Sequence, residues 1–299
     1  MARRNAAMLV ALSLIWGASF LFIKVAVRDL APASLILGRL GLAAITLALI
    51  AAVLLGREQT LRELRANAGP LALVGIVNTA VPFWLLSWGE TRIQSGLASI
   101  IQAAVPIFNA LIAFGFFREV RVTGVRLAGV AVGFVGVALL VGAQPEGKVL
   151  GALAVVGMAF CYGLGGLLAG RHLSGVQPVV VALGSTAVSA LVAAPAGIAQ
   201  AVGTSIGWKA LGSVAVLGVV GTAVAYLLFF ALIRGAGAAY ASLVTYLCPP
   251  IALAYGAIFL GERFGVAAFA ALAIILAGVA LGSGAVGIGR VRRRIPSEA

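Results

Sequence analysis

The sequence predicts an all-α polytopic membrane protein of ten transmembrane helices, arranged as two inverted five-helix repeats. Three observations carry this prediction. Of 299 residues, 63% are hydrophobic and 10% charged, with a mean hydropathy of +1.16; no water-soluble domain of this length hides so much apolar surface. The chain divides into ten apolar runs, each long enough at 1.5 Å per residue to cross about 30 Å of hydrocarbon. Its second half also repeats the first.

The runs are taken in order. The first, 6–27, follows "MARRN" and so imitates a signal peptide, but its length, Lys24 and the lack of a small-residue cleavage site make it the first helix. The second, 32–55, ends at the polar break "GREQTLREL", and 69–88, 95–117 and 121–141 complete the first half. After "QPEGK" come 150–170, 177–202, 208–233, 238–260 and 265–283. The expected organisation is therefore a first repeat over 1–143, a connecting loop at 144–149, a second repeat over 150–285 and a basic tail at 286–299. No loop is long enough to fold as a further domain.

Lys and Arg concentrate in cytoplasmic loops, which orients the chain. With the N-terminus inside, the inner loops and tail hold Arg3, Arg4, Arg57, Arg62, Arg65, Arg118, Arg121, Arg126, Arg171, Arg234, Arg290, Arg292, Arg293 and Arg294, whereas the outer loops hold Arg28, Arg92, Lys148, Lys209 and Arg263. Lys24 and Arg39 lie within spans. The net charge of +13 thus reads as topology and contact with anionic lipid, because the basic residues are dispersed among loops and none interleaves with an aromatic nucleic-acid patch. Nucleic acid is not an expected partner. Cys161 and Cys248 both fall inside spans without ligand or pairing spacing, and read as small core residues.

At an offset of 143, Gly75, Thr79, Ala80, Val81, Ala98, Ser99, Pro106 and Glu119 fall on Gly218, Thr222, Ala223, Val224, Ala241, Ser242, Pro249 and Glu262. Ala and Val coincide by composition alone; the matched Pro, Thr, Ser and Glu do not. A repeat with an odd number of crossings re-enters the membrane from the opposite side. Inverted repeats are the architecture of secondary transporters, in which the site lies near the midplane and one half rocks against the other.

The ordered set "IWGASFLFIK", "LILGRLGLAA", the runs "PIFNALIAFGFFRE" and "PPIALAYGAIFLGE", and the glycine-bearing helices after them, "LAGVAVGFVGVALL" and "LAIILAGVALG", resembles the EamA-type carriers of the drug/metabolite transporter superfamily. The likeness covers nearly the whole chain, and amino-acid exporters of the YddG type are the nearest in length and character. The resemblance implies a ten-helix carrier of the bacterial inner membrane, often an exporter of amino acids or related metabolites, with both termini cytoplasmic. One chain suffices for a complete pathway; an oligomer stays open.

Unpaired polar groups are costly in hydrocarbon, so those within spans face one another or a wet cavity. Ser95, Ser99, Gln102, Pro106 and Asn109 recur at helical spacing on one face of the fourth span, and Ser242, Thr245 and Pro249, with Tyr246 beside them, occupy the equivalent face of the ninth. Proline lacks an N–H and displaces the carbonyl four residues back, so Pro106, Pro249 and Pro250 free acceptors at Gln102, Thr245 and Tyr246. Two uses fit these prolines: a polar cavity wall or hinge, and a structural kink satisfied by neighbouring helices. Further walls are drawn from Trp16 and Phe20 in the first span, Asn78, Thr79, Phe83 and Trp84 in the third, and Tyr162, Thr222 and Tyr226 in the second half. Rings with polar tips suit solutes having both apolar and hydrogen-bonding parts, although each ring also suits a lipid-facing belt, as Trp88 does.

All eight acids, Asp29, Glu58, Glu63, Glu90, Glu119, Glu146, Glu262 and Glu298, fall in loops, tails or span ends. With no carboxylate expected in mid-membrane, neutral or zwitterionic metabolites are favoured over cationic drugs. Lys24 and Arg39 fit two roles, attraction of a substrate carboxylate or a tie between helices. A proton-coupled exporter of cations, a channel and a non-transporting scaffold remain as alternatives. An intramembrane enzyme does not fit, since the single histidine, His172, lies in a loop and no base, nucleophile or metal cluster sits in a span. No metal or cofactor is expected.

Overall fold

A backbone in lipid must satisfy its own N–H and C=O groups, and a chain this apolar does so by helices. The computed structural model describes residues 2–116, 124–144 and 148–282, and every element in them is helical. Among the described residues, eight helices are long and apolar enough to cross a membrane, and two further apolar helices are shorter. In chain order they are α1 (Ala2–Ala26), α2 (Pro32–Leu55), the short α3 (Arg57–Ala66), α4 (Ala68–Glu90), a span broken into α5 (Ser95–Gln102) and α6 (Val105–Phe116), and α7 (Gly124–Gly142). There follow α8 (Val149–His172), α9 (Pro178–Ala201), α10 (Trp208–Ala236), a second broken span made of α11 (Ala238–Ala241) and α12 (Val244–Leu260), and α13 (Val266–Gly282).

Three local features depart from the straight spans expected. "GREQTLREL" is a helix rather than a loop: in α3 the Thr60 hydroxyl donates to the carbonyls of Ala51 and Gly56, and Glu63 accepts from Gln59 at 2.9 Å and from the backbone N–H of Gln177 at 3.3 Å. The fourth span breaks at Ala103–Ala104, just ahead of Pro106, where the turn uses the carbonyls of Ser99, Ile100, Ile101 and Ala104 and passes over that of Gln102. Pro106 therefore enters the first turn of α6, where its missing N–H costs nothing. The ninth span breaks earlier, at Ser242–Leu243, leaving Pro249 and Pro250 inside α12.

Helix pairing follows a regular scheme. α2 lies along α9, and α7 along α13; α1 packs against α10 and α12, as α8 packs against α4 and the broken α5–α6. Glycines set the closest of these crossings. A Cβ on Gly278 would strike the backbone nitrogen of Gly133, and one on Gly129 would strike that of Gly282, so α7 and α13 meet backbone to backbone.

The turns gather at two ends. At one, Lys24 reaches the α4–α5 turn, Ser95 bonds the residue after Gly261, and Gln94 Nε2 donates to the Arg263 carbonyl at 3.2 Å. At the other, Asn5 donates to the carbonyl of Gly235, and α3 meets the α8–α9 turn through Glu63 and Gln177. Glu119, Glu146, Arg118, Arg121 and the basic tail lie outside the described residues.

Candidate functional site

The main polar cluster is assembled by two matched irregularities. Residues Ile76–Ala80 of α4 and Val216–Val224 of α10 form wide π-helical turns, and at the repeat offset of 143 the first range falls inside the second. A π turn inserts one residue into the helix and re-aims the side chains around it. Here the helix surface is shaped by partners: the Gly75 carbonyl accepts from Ser189 Oγ of α9 at 2.8 Å, and Thr222 Oγ1 donates to the Leu217 carbonyl at 2.8 Å, five residues back. Gly218 lies against the Arg39 carbonyl and Leu42, which brings α10 onto α2.

Arg39 of α2 is the centre of the cluster. It is 6% exposed, donates from Nε to Thr222 Oγ1 at 3.0 Å, and lays its guanidinium 4.2 Å from the centroid of the Phe83 ring. Phe83 in turn meets Tyr162 of α8 edge-on, with centroids 6.4 Å apart. Tyr162 and Tyr226 both lie within electrostatic reach of Arg39. Tyr226 stands beside the buried Thr79, with the two hydroxyls near one another. Asn78 packs on Gly165 of α8, where any Cβ would collide with it. Thus Asn78, Thr79, Phe83, Tyr162, Thr222 and Tyr226, six of the expected wall residues, converge with Arg39 where α2, α4, α8 and α10 meet. The cluster offers one fixed positive charge, a cation-bearing aromatic face and several hydroxyls, a set suited to a carboxylate joined to an apolar or polar side chain.

The remaining expected residues lie elsewhere. Trp16 packs on Phe229, centroids 5.4 Å apart, between α1 and α10. Phe20 is 2% exposed within the largest apolar core. Trp84 is 43% exposed and stacks on Trp88 at 6.3 Å, so it faces outward with the belt. Ser99 is buried, and its hydroxyl donates to the Gly96 carbonyl at 2.6 Å within its own helix. Gln102, Thr245 and Tyr246 are half-buried, Pro106 likewise, and Pro249 is buried. Ser242 and Pro250 are exposed. Two cavities, of about 410 and 230 Å³, border Leu30, Ser34, Gly38 and Gly197 in one case and Gln94, Gln144 and Lys148 in the other, toward the Lys24 end; Arg39 itself lines neither of them.

A second polar group closes the Lys24 end. Lys24 Nζ donates to the carbonyls of Glu90 and Ile93, the latter at 2.7 Å, and so ties α1 to the C-terminus of α4. This is the tie that sequence offered as one of two roles for Lys24, and a cation at a helix C-terminus also meets the favourable end of the dipole. Glu262 accepts from Ser95 N at 2.7 Å, Ser95 Oγ at 2.9 Å and Gly96 N at 3.1 Å, capping α5 from the other half of the chain. Gly261 makes this reach attainable: its φ of +65° caps α12 in the left-handed region and turns Glu262 back across the bundle. Glu90 was expected in a loop or at a span end; it is the last residue of α4 and 0% exposed. Two signals were therefore missed from sequence, the π turns and the burial of Glu90. Gly75 and Gly218 at matching positions pointed toward the first, while nothing local marks the second.

Known proteins agree with this architecture. A "probable terminal-alkyne amino-acid exporter" of Streptantibioticus cattleyicolor is 29% identical over 272 residues, which are 89% of each chain. The "uncharacterized inner membrane transporter YedA" of Escherichia coli K12 is 26% identical over 279 residues, 91% of this chain and 88% of that one. A solved crystal structure, 17% identical, shares the fold with a TM-score of 0.68 over 94% of this chain and 97% of its own. The model of the EamA-like transporter family matches twice, over residues 4–142 and again over 149–284. The chain is a membrane transporter that belongs to the EamA-like transporter family.

Proposed function

We propose that this transporter exports amino acids or similar small metabolites by alternating access, with the solute carboxylate held at Arg39. The observation that carries the reading is Arg39 itself. A guanidinium 6% exposed and bonded through Nε to a neutral threonine is a buried charge whose full value is realised only with an anion beside it. Phe83, Tyr162 and Tyr226 line the space around it, where a solute side chain is received.

Several facts support two inverted repeats of five crossings as the frame for this site. The family model matches once in each half. The π turns fall at equivalent positions, and the helix pairing is unchanged when the halves are exchanged, since α1 contacts α10 and α12 just as α8 contacts α4 and α5–α6. On this reading Lys24, Glu90 and Glu262 form the outer end, both termini lie in the cytoplasm of a bacterial cell, and one chain holds a full pathway. The name of the S. cattleyicolor relative supports an amino-acid substrate.

The test is transport by purified protein in liposomes. Labelled threonine, methionine or phenylalanine is expected to move with saturation and to be inhibited by the unlabelled solute. No saturable flux for any solute in a broad panel overturns the reading.

A further inference from the structure

Glu90 has no use in the solute site just described, and its surroundings set it apart from every other described acid. It is the last residue of α4 and 0% exposed, and neither carboxyl oxygen has a hydrogen-bond partner. A carboxylate buried without donors loses its hydration with nothing in exchange, whereas the same group carrying a proton is housed far more cheaply. The obvious donor is committed elsewhere: the Lys24 ammonium bonds the main-chain carbonyls of Glu90 and Ile93. The other charges that act on Glu90 are Glu262, which repels a negative form, and Arg39, which favours one. Around Lys24 stand Arg28 and Lys148 as well. Against α4 at this point lies α8, where Val155 and Gly151 abut Gly89 and contribute no charge.

We propose that Glu90 is a proton-binding site that couples solute movement to proton movement in the same direction. When the packing at the Lys24 end encloses Glu90, as it does here, the carboxyl is without donors and carries a proton. When that end opens to water the carboxylate is hydrated and the proton is exchanged with the aqueous phase. Closure and proton binding are therefore linked, and each favours the other by the same free energy. No bond other than O–H forms or breaks; a proton leaves water on one side and is returned to water on the other. Arg39, within electrostatic reach of Glu90, connects this site to the solute: a carboxylate bound at Arg39 withdraws the positive field that favours ionised Glu90. This inference rests on the carrier reading above.

The experiment uses full-length protein in liposomes containing the pH dye pyranine, with labelled phenylalanine, methionine and threonine as solutes. Wild type is expected to move protons in the same direction as solute and to concentrate solute when a pH gradient is imposed; protons moving opposite to solute overturn the coupling. In Glu90→Gln, whatever solute still moves carries no proton with it, and Glu90→Asp restores the coupling in part. As a measurement independent of variants, a hydrophobic carbodiimide, which attacks protonated carboxyls, is expected to label Glu90 in wild type, as read by peptide mass spectrometry. Solute flux without proton movement in wild type overturns the proposal alone, as does unchanged proton movement in Glu90→Gln or failure of the carbodiimide to label Glu90. A Glu90→Gln protein with weakened affinity for amines but an unchanged proton ratio assigns Glu90 to the solute's ammonium instead. Absence of flux for every solute overturns the carrier reading and this one together.

Discussion

Arg39 was visible in the sequence as a charge inside a span, but whether it tied helices or received a carboxylate depended on its neighbours. The neighbours are now specific: Thr222 takes one N–H, Phe83 lies under the guanidinium, and two tyrosines stand within electrostatic reach. A charged hydrogen bond contributes about 1.5–3 kcal/mol, which is roughly ten- to a hundred-fold in affinity. Arg39→Met is accordingly expected to raise the half-saturation concentration for carboxylate-bearing solutes by that factor, and Arg39→Lys to recover only part, because a point charge cannot reproduce the fork. Flux in liposomes across a concentration series checks it; equal affinity in both variants moves the carboxylate elsewhere. The six wall residues that do converge were chosen from spacing and side-chain chemistry. Trp84 shows the limit of that method, since an indole fits a cavity and a lipid belt equally well, and its stacking on Trp88 was decided by the rotation of α4.

At the scale of elements, the apolar runs located eight candidate spans and two shorter apolar helices to within a few residues. Departures arose wherever a side chain overrode local pattern. α3 was hidden because its ten residues are polar and its stability comes from the bonds of Thr60 and Glu63 to α2 and the α8–α9 turn. The π turns carry no composition of their own. Glu262, by contrast, was conspicuous as the terminus of a repeated run, and its work lies across the bundle at the N-terminus of α5, where a carboxylate meets free N–H groups and the positive end of the dipole. Removing such a cap costs about 1–2 kcal/mol. Glu262→Gln is expected to lower the thermal unfolding midpoint of detergent-purified protein, with exposed Glu58→Gln as the unaffected control. Equal midpoints for both variants would show that the cap carries no net stability.

For the whole molecule, the membrane class and the family were legible from composition, the ordered motifs and the duplication, because these are properties of sequence length and order. The distribution of Arg and Lys also gives an orientation that can be checked directly: in intact cells, a cysteine replacing Arg28 is expected to react with an impermeant thiol reagent and one replacing His172 to be protected, with the reverse pattern inverting the topology. What sequence did not reveal was which interior surfaces are wet and which are dry. The crossing of α7 and α13 decides one of them. With Gly133 and Gly278 in backbone contact, no gap remains at that crossing for a file of water molecules. A transporter that draws on an ion gradient loses efficiency through every leak that bypasses its moving parts. The glycines thus act as insulation at that crossing, leaving water and ions no path between the two helices.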